Sequence, residues 1–398
     1  MTDQDLSQPA LDGRKLAAID AEIESFIARR QLPGAALHLE RGGSVHQKAF
    51  GRVSFDEGAA AVTTSTVFDA ASLTKVVTTA PSVMLLVEDG RVELDAPLIR
   101  YLPECTGGGK EAITIRHLLT HTSGLPAGLP PRPAWRGEAA AFKLACAQVV
   151  ADAPGTAFRY SDINFLLLGW LVQRRASMPL DQFAAQRIFQ PLAMRDTGFL
   201  PLPRIDAARI APTQKMLDRA VQTLHDDLAD GETLRGVVHD PTVRFIGGVG
   251  GSAGLFTTVG DLARYARMIL NQGELDGVRI LSRASVRLMT TLQSPPGIAA
   301  RRSAGWDIDS PYARPRGSVF PIGSVGHTGF TGCILWIDPF SATFYVFLSN
   351  RVYPNDRNNI LELYGRLGTL SAAAVTGFDF GRVAGALSPL PNAQSQDK

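Results

Sequence analysis

The sequence predicts an α/β chain of the α+β type: a central antiparallel sheet flanked by helices, built from both chain ends, with a mostly helical inserted domain. Three observations predict it. Residues 34–53 read as a β-hairpin near the start. Four strand-like runs follow one another late in the chain, at 305–308, 319–325, 332–337 and 343–349. Between these two ends the apolar spacing is mainly helical. The expected division is an α/β domain from 11–86 and 271–387, a helical insertion domain at 87–270, and flexible tails at 1–10 and 388–398.

In chain order, Leu16, Ile19, Ile23, Phe26 and Ile27 recur at helical spacing and predict an amphipathic helix over 14–30. The hairpin turns at Gly42-Gly43. A short extended run at 66–68 leads into a helix that starts at Ser72 and stops at Gly90. Short pieces at 94–102 and 113–120 are joined by Gly107-Gly108-Gly109-Lys110, which lacks the full phosphate-loop pattern. A Gly/Pro-rich surface loop covers 124–137. Helices are expected over 139–151, 163–174 and 180–189, then an irregular stretch over 195–256 with a glycine cluster at 247–254. Further helices are expected at 259–272, 283–292 and 356–374.

Composition excludes several classes. With 45% apolar and 20% charged residues the 398-residue chain is a globular protein with a sizeable core. A net charge of +2 gives no basis for binding nucleic acid or an anionic membrane surface. No run reaches the roughly 18 apolar residues of a membrane span. The start has no basic region followed by an apolar one, and Cys105, Cys146 and Cys333 are odd in number and widely spaced. They predict neither a disulfide framework nor a zinc site, and a reducing cytoplasm is the expected location, with the periplasm as the alternative if a leader has been trimmed from the start.

The chemistry centres on Ser72-Leu73-Thr74-Lys75. Ser72 sits where a helix begins, and unpaired backbone N–H groups at such an end can hold a negative oxygen. Lys75 lies one turn on, on the same face, and if desolvated and neutral it can take the serine proton. Ser-x-x-Lys alone is a weak signal, because an N-cap serine looks the same. Its second occurrence, Ser395/Lys398, falls in an aperiodic polar tail.

Two further groups raise the specificity: Tyr160-Ser161-Asp162 ahead of a helix, and Gly326-His327-Thr328-Gly329-Phe330-Thr331-Gly332 leading into a strand. In this order the three motifs resemble those of the penicillin-recognising serine hydrolases, in particular class C β-lactamases, DD-peptidases and family VIII carboxylesterases. The run His117 to Leu125, the glycine run at 247–256 and Leu348 to Val352 look like further hallmarks, and the resemblance covers about residues 11–375. It implies a β-lactamase/transpeptidase-like fold, no cofactor, and an acyl-enzyme on Ser72. It also implies proton transfer by Lys75 and Tyr160, and an oxyanion hole from the backbone N–H groups of Ser72 and Phe330. Asp162, His327, Gly329 and Phe330 are the substrate-contacting positions it implies.

Two departures from the family pattern matter. Asp162 stands where the pattern has Asn; beside Lys75 it favours the charged lysine, shifts the base role towards Tyr160, and repels a substrate carboxylate. His327 stands where many relatives carry Lys, which removes a fixed positive charge. Both departures predict a carboxylesterase for small uncharged acyl esters, with β-lactamase or D-Ala-D-Ala carboxypeptidase as the alternative and an inactive penicillin-binding-like protein as the non-enzyme one. The expected partner is a small-molecule ester or amide substrate. Rival motifs are weaker. Gly250-Gly251-Ser252-Ala253-Gly254 fits a nucleophile elbow but lacks the strand before and helix after. His117 and His121 have metal-pair spacing but no Glu at 118, and a turn follows.

Overall fold

A computed structural model describes residues 10–131, 134–216, 228–229, 231–310 and 314–389. The expected tails therefore fall almost wholly outside the described residues. The elements that matter begin with helix α1 (Gly13–Ala28), capped by Asp12, whose side chain accepts from the N–H groups of Arg14 and Lys15. The hairpin β1 (Gly34–Arg41) and β2 (Ser44–Gly51) follows, then β3 (Phe68–Asp69). A π-helical turn at Lys75–Thr79 runs into α2 (Ala80–Glu88). The middle of the chain supplies α3 (Ile115–Leu119), α4 (Glu138–Ala147), α5 (Asp162–Ala176), α6 (Leu180–Ala184) and α7 (Pro241–Phe245). Strand β4 (Phe256–Thr257), helix α8 (Val259–Leu270), the small hairpin β5 (Glu274–Leu275) and β6 (Val278–Arg279), and α9 (Arg283–Thr290) follow. Strands β7 (Arg301–Arg302), β8 (Asp307–Asp309), β9 (Val325–Gly329), β10 (Cys333–Asp338) and β11 (Thr343–Ser349) lead to α10 (Leu361–Ala373).

Seven strands form one antiparallel sheet in the order β2-β1-β11-β10-β9-β8-β7. The expected sheet from both chain ends is thus observed: β1 pairs on one side with β2 and on the other with β11, Leu37 opposite Phe347. Period-two alternation sorts the side chains. Ala35, Leu37, Leu39, Tyr345 and Phe347 pack under α1 and α10 with Ile19, Ile23, Phe26, Leu363 and Leu367. Ala36, Phe344, Val346 and Leu348 face the other way and join the large core with α2, α5 and α8. On that second face Glu40 is buried between His38 Nε2 at 2.8 Å and the Arg267 fork of α8 at 2.8 and 2.6 Å. Burial alone would raise the Glu40 pKa; the bonds from His38 and Arg267 outweigh it and hold it at about 2.

Three expectations need correction. The strand expected at 319–325 lies later, at Val325–Gly329, so His327 and Gly329 are within the sheet rather than ahead of it. The hydrophobic run misplaced it because Phe320 packs among the residues under α1 and α10 as part of an irregular approach. Helix α10 begins at Leu361, not 356. Lastly, Cys105 and Cys146 form a disulfide across 41 positions, their Cα atoms 4.2 Å apart, while Cys333 is free and buried. Parity and spacing do not report neighbours in space. The loop before Lys110 folds against the end of α4: Lys110 Nζ donates to Gln148 O at 2.6 Å and Val150 N to Gly108 O at 3.1 Å. Among the described residues no helix is long and apolar enough to cross a membrane.

Candidate active site

Ser72 sits in a strained turn between β3 and the π-helical turn. Ala71, just before it, has φ +46°, a conformation that an L-residue adopts only when its surroundings force it. Asp69 supplies the force. Its carboxylate accepts from Ala71 N at 2.9 Å and from His239 N at 2.7 Å, and its carbonyl accepts from Thr331 Oγ1 at 2.7 Å. One buried residue thus ties together the nucleophile turn, the 239–241 loop and the turn after β9. Burial pushes the Asp69 carboxyl up to about 6.

The π-helical turn begins at Lys75 and points its ammonium inward, with the side chain fully buried. Nζ stands 2.9 Å from Ser72 Oγ, 2.9 Å from Ser252 O and 2.7 Å from Asp162 Oδ1, and it lies 5.1 Å from the centre of the Tyr160 ring. Desolvation alone would lower the Lys75 pKa; the attraction of Asp162 and the contacts with Tyr160 outweigh it and raise it. Lys75 is therefore an ammonium, and the neutral-lysine reading of the pair is not the one the geometry favours.

Tyr160 and Asp162 are presented by the start of α5. Asp162 is its first residue, where a carboxylate is favoured by the helix N-terminus. The segment is held in place by the 121–127 turn: Ser161 N donates to His121 Nδ1 at 3.1 Å, Ser161 Oγ to Pro126 O at 2.5 Å, and Asp162 N to Ala127 O at 2.7 Å. His121 lies beneath Tyr160, ring centroids 4.4 Å apart. Its burial, with Arg302 and Lys75 nearby, drives its pKa well below the usual histidine range, so it stays neutral. His117 goes elsewhere and closes a capping box on Thr114 at the start of α3, so the two histidines do not share a ligand.

Strand β9 brings His327, Gly329 and, just beyond its end, Phe330 to the same cleft. A side chain at Gly329 would collide with Ala70 O, so this strand end is pressed against the nucleophile turn. His327 donates Nδ1–H to Thr328 O at 2.8 Å, and burial keeps its pKa well below the usual range. Phe330 is half exposed at the mouth, under the Arg351 guanidinium and 5.7 Å from the His239 ring. The glycine run explains itself by contact: Gly251 leaves no room for a Cβ against Phe165 O, and its own carbonyl accepts from Thr79 Oγ1 at 2.7 Å. Ser252 is buried in that run and offers Lys75 its carbonyl.

Ser72, Tyr160, Asp162, His327 and Phe330 line one cavity of about 330 Å³. Its wall also holds His239, Asp240, Arg302 and Asp307, which sequence reasoning missed. Asp240 caps α7 through Val243 N at 2.8 Å; burial, then the charge of Asp162, pushes it up to about 6. The acidic cap before Pro241 was readable as a helix start. Nothing in the local sequence marked Arg302, which is placed by cross-strand pairing.

Known proteins share this architecture. A family model described as Beta-lactamase matches residues 19–369, and the chain belongs to that family. It is thus a serine hydrolase of β-lactamase fold. A relative from Escherichia coli strain K12, named "Putative D-alanyl-D-alanine carboxypeptidase", is 29% identical over 347 residues, 80% of this chain and 79% of the relative. One of the same name from Salmonella schwarzengrund strain CVM19633 is 28% identical over 407 residues, 96% and 93% of the two chains. Among solved structures, a class C β-lactamase superposes with a TM-score of 0.71 at 18% identity, covering 92% of this chain and 98% of its own. EstCE1, described as a hydrolase with promiscuous acyltransferase activity, gives 0.69 at 21%, covering 89% and 99%. These structural likenesses show the fold.

Proposed function

We propose that the protein is a carboxylesterase for small uncharged acyl esters, working through an acyl-enzyme on Ser72. The observation that carries this reading is the placing of Lys75 Nζ between Ser72 Oγ at 2.9 Å and Asp162 Oδ1 at 2.7 Å. A lysine held as an ammonium cannot accept a proton, so Tyr160 is the base. In the first step Ser72 Oγ bonds to the ester carbonyl carbon while its proton passes to the Tyr160 oxygen, which acts as a phenolate held beside the Lys75 ammonium and becomes the neutral phenol. The N–H groups of Ser72 and Phe330 receive the oxyanion. As the carbon–oxygen bond to the alcohol breaks, Tyr160 returns the proton to the departing oxygen. Water then gives a proton to Tyr160 as its oxygen bonds to the acyl carbon; the bond from that carbon to Ser72 Oγ breaks, the proton passes from Tyr160 to Ser72 Oγ, and the acid is released.

Charge supports uncharged substrates. Asp162 and Asp240 both face the cavity, and His327 brings no fixed cation. The relatives' carboxypeptidase name supports a second reading, hydrolysis of a D-alanyl-D-alanine peptide. A panel of p-nitrophenyl esters beside nitrocefin and a D-Ala-D-Ala peptide tests the choice: esters turned over far faster than both others support the esterase, and a preference for the peptide overturns it. The Cys105–Cys146 disulfide supports an oxidising compartment in place of the cytoplasm expected from sequence.

A further inference from the structure

The cavity has a second polar wall, built by β7, β8 and β9, that the proposed chemistry leaves unused. Arg302 is 1% exposed. Its Nη2 donates to Gly305 O at 3.0 Å; Nη1 forms only a long ion pair with Asp307 Oδ1, at 3.7 Å and beyond hydrogen-bond distance, and Nε has no hydrogen-bond partner. Asp307, 3% exposed, uses one oxygen to accept from Ser310 Oγ at 2.9 Å, while Oδ1 has no donor. His327 is 5% exposed; because its Nδ1–H serves Thr328 O, the neutral ring turns a bare lone pair at Nε2, also without a partner. All three residues line the cavity that holds Ser72. One donor and two acceptors, all buried and without a hydrogen bond, mark a place where a ligand group belongs.

We propose that this wall is a leaving-group subsite for a neutral amide, so that the preferred esters carry a carboxamide on the alcohol side. The inference rests on the esterase reading of Ser72. The side follows from Tyr160, which returns the proton to the departing oxygen and whose ring lies 6.0 Å from that of His327. The group follows from the donor set. An amide carbonyl accepts from Arg302 Nε, and its N–H groups serve Asp307 Oδ1 and His327 Nε2. A carboxylate satisfies Arg302 but meets Asp307 and the charges of Asp162 and Asp240. An ammonium meets Arg302. An alkyl group leaves all three atoms unmatched.

Three butyrate esters of matched size decide it: those of glycolamide, isobutanol and glycolate. Rates of kcat/KM are divided by each ester's hydroxide-catalysed rate to remove leaving-group acidity. The glycolamide ester is expected to exceed the other two by at least about tenfold, since a buried hydrogen-bonding site rejects analogues that lack the group. In Arg302→Met or Asp307→Leu that advantage over isobutyl butyrate falls towards unity. If those variants do not fold, the three ratios in the unmodified protein still decide. Equal glycolamide and isobutyl rates overturn the subsite while leaving the esterase reading intact, and a glycolate preference overturns it in favour of an anion site. Failure to cleave any of the three overturns the esterase reading itself.

Discussion

Asp162 Oδ1 lies 2.7 Å from Lys75 Nζ, and the same ammonium lies 2.9 Å from the Ser72 hydroxyl. The carboxylate thus acts on the nucleophile at one remove, and on any anion that enters the cavity directly. At an effective dielectric near 20, a like charge about 6 Å away costs on the order of 2–3 kcal/mol before compensation by Lys75. Asp162→Asn is expected to raise kcat/KM for carboxylate-bearing substrates relative to neutral esters, by up to about fiftyfold. An unchanged ratio between the two substrate types contradicts the charge argument.

Ser72 is expected to be the only acylated serine. Mass spectrometry after fluorophosphonate treatment should place one adduct on it, and Ser72→Ala should lower kcat by at least about 10⁴-fold, as loss of a nucleophile does elsewhere. An adduct on Ser252, buried in the glycine run, would sink the assignment.

Glu40 makes a separate prediction about stability. Its folded pKa of about 2 lies below its ordinary 4.5, so its contribution is full above pH 4.5 and is lost as pH falls towards 2. Glu40→Gln should therefore destabilise the protein at pH 7, by about 3 kcal/mol from the size of the shift. The gap to the unmodified protein should close between pH 4.5 and 2. Urea titrations of both proteins across that range check it; a gap constant with pH would show that the His38–Glu40–Arg267 cluster is not the source.

The Cys105–Cys146 bond closes a loop of 41 positions, for which chain entropy predicts roughly 4 kcal/mol of stabilisation. Peptide mapping without reductant should recover the two cysteines as one linked pair and Cys333 as a free thiol. Dithiothreitol should lower Tm, and Cys105→Ser should lower it to a similar degree. Three free thiols in protein isolated under oxidising conditions would contradict the pairing.

Much of this was legible because it is local. The apolar runs within 34–41 and 343–349 mark strands buried on both faces, and Ser72 with Lys75 reads as one helical turn on any scaffold. What the sequence could not display is who meets whom across the fold. Arg302 reaches the cavity because β7 pairs with β8, two-residue and three-residue strands too short to leave a pattern. Asp69 looks like an ordinary strand-end acid until the 239–241 loop, 170 positions away, donates to it. The strand bearing His327 leaves little trace in the sequence because Gly326, Thr328 and Gly329 carry little hydrophobic signal; close packing against Trp336 and Ala70 demands small residues there.

The position of β1 between β2 and β11 also governs how the chain can be made. A ribosome delivers α1 and the first hairpin some 300 residues before the strand that completes them, since Leu37 finds Phe347 only when the C-terminal part has emerged. Through most of synthesis the inner edge of β1 and the apolar face meant for α10 have no mate. Such long-range pairing folds slowly and leaves an adhesive edge open meanwhile. A circular permutant that joins residues 10 and 376, already linked through the Arg41 side chain, and opens elsewhere would put β11 and β1 next to each other in time as well as in space.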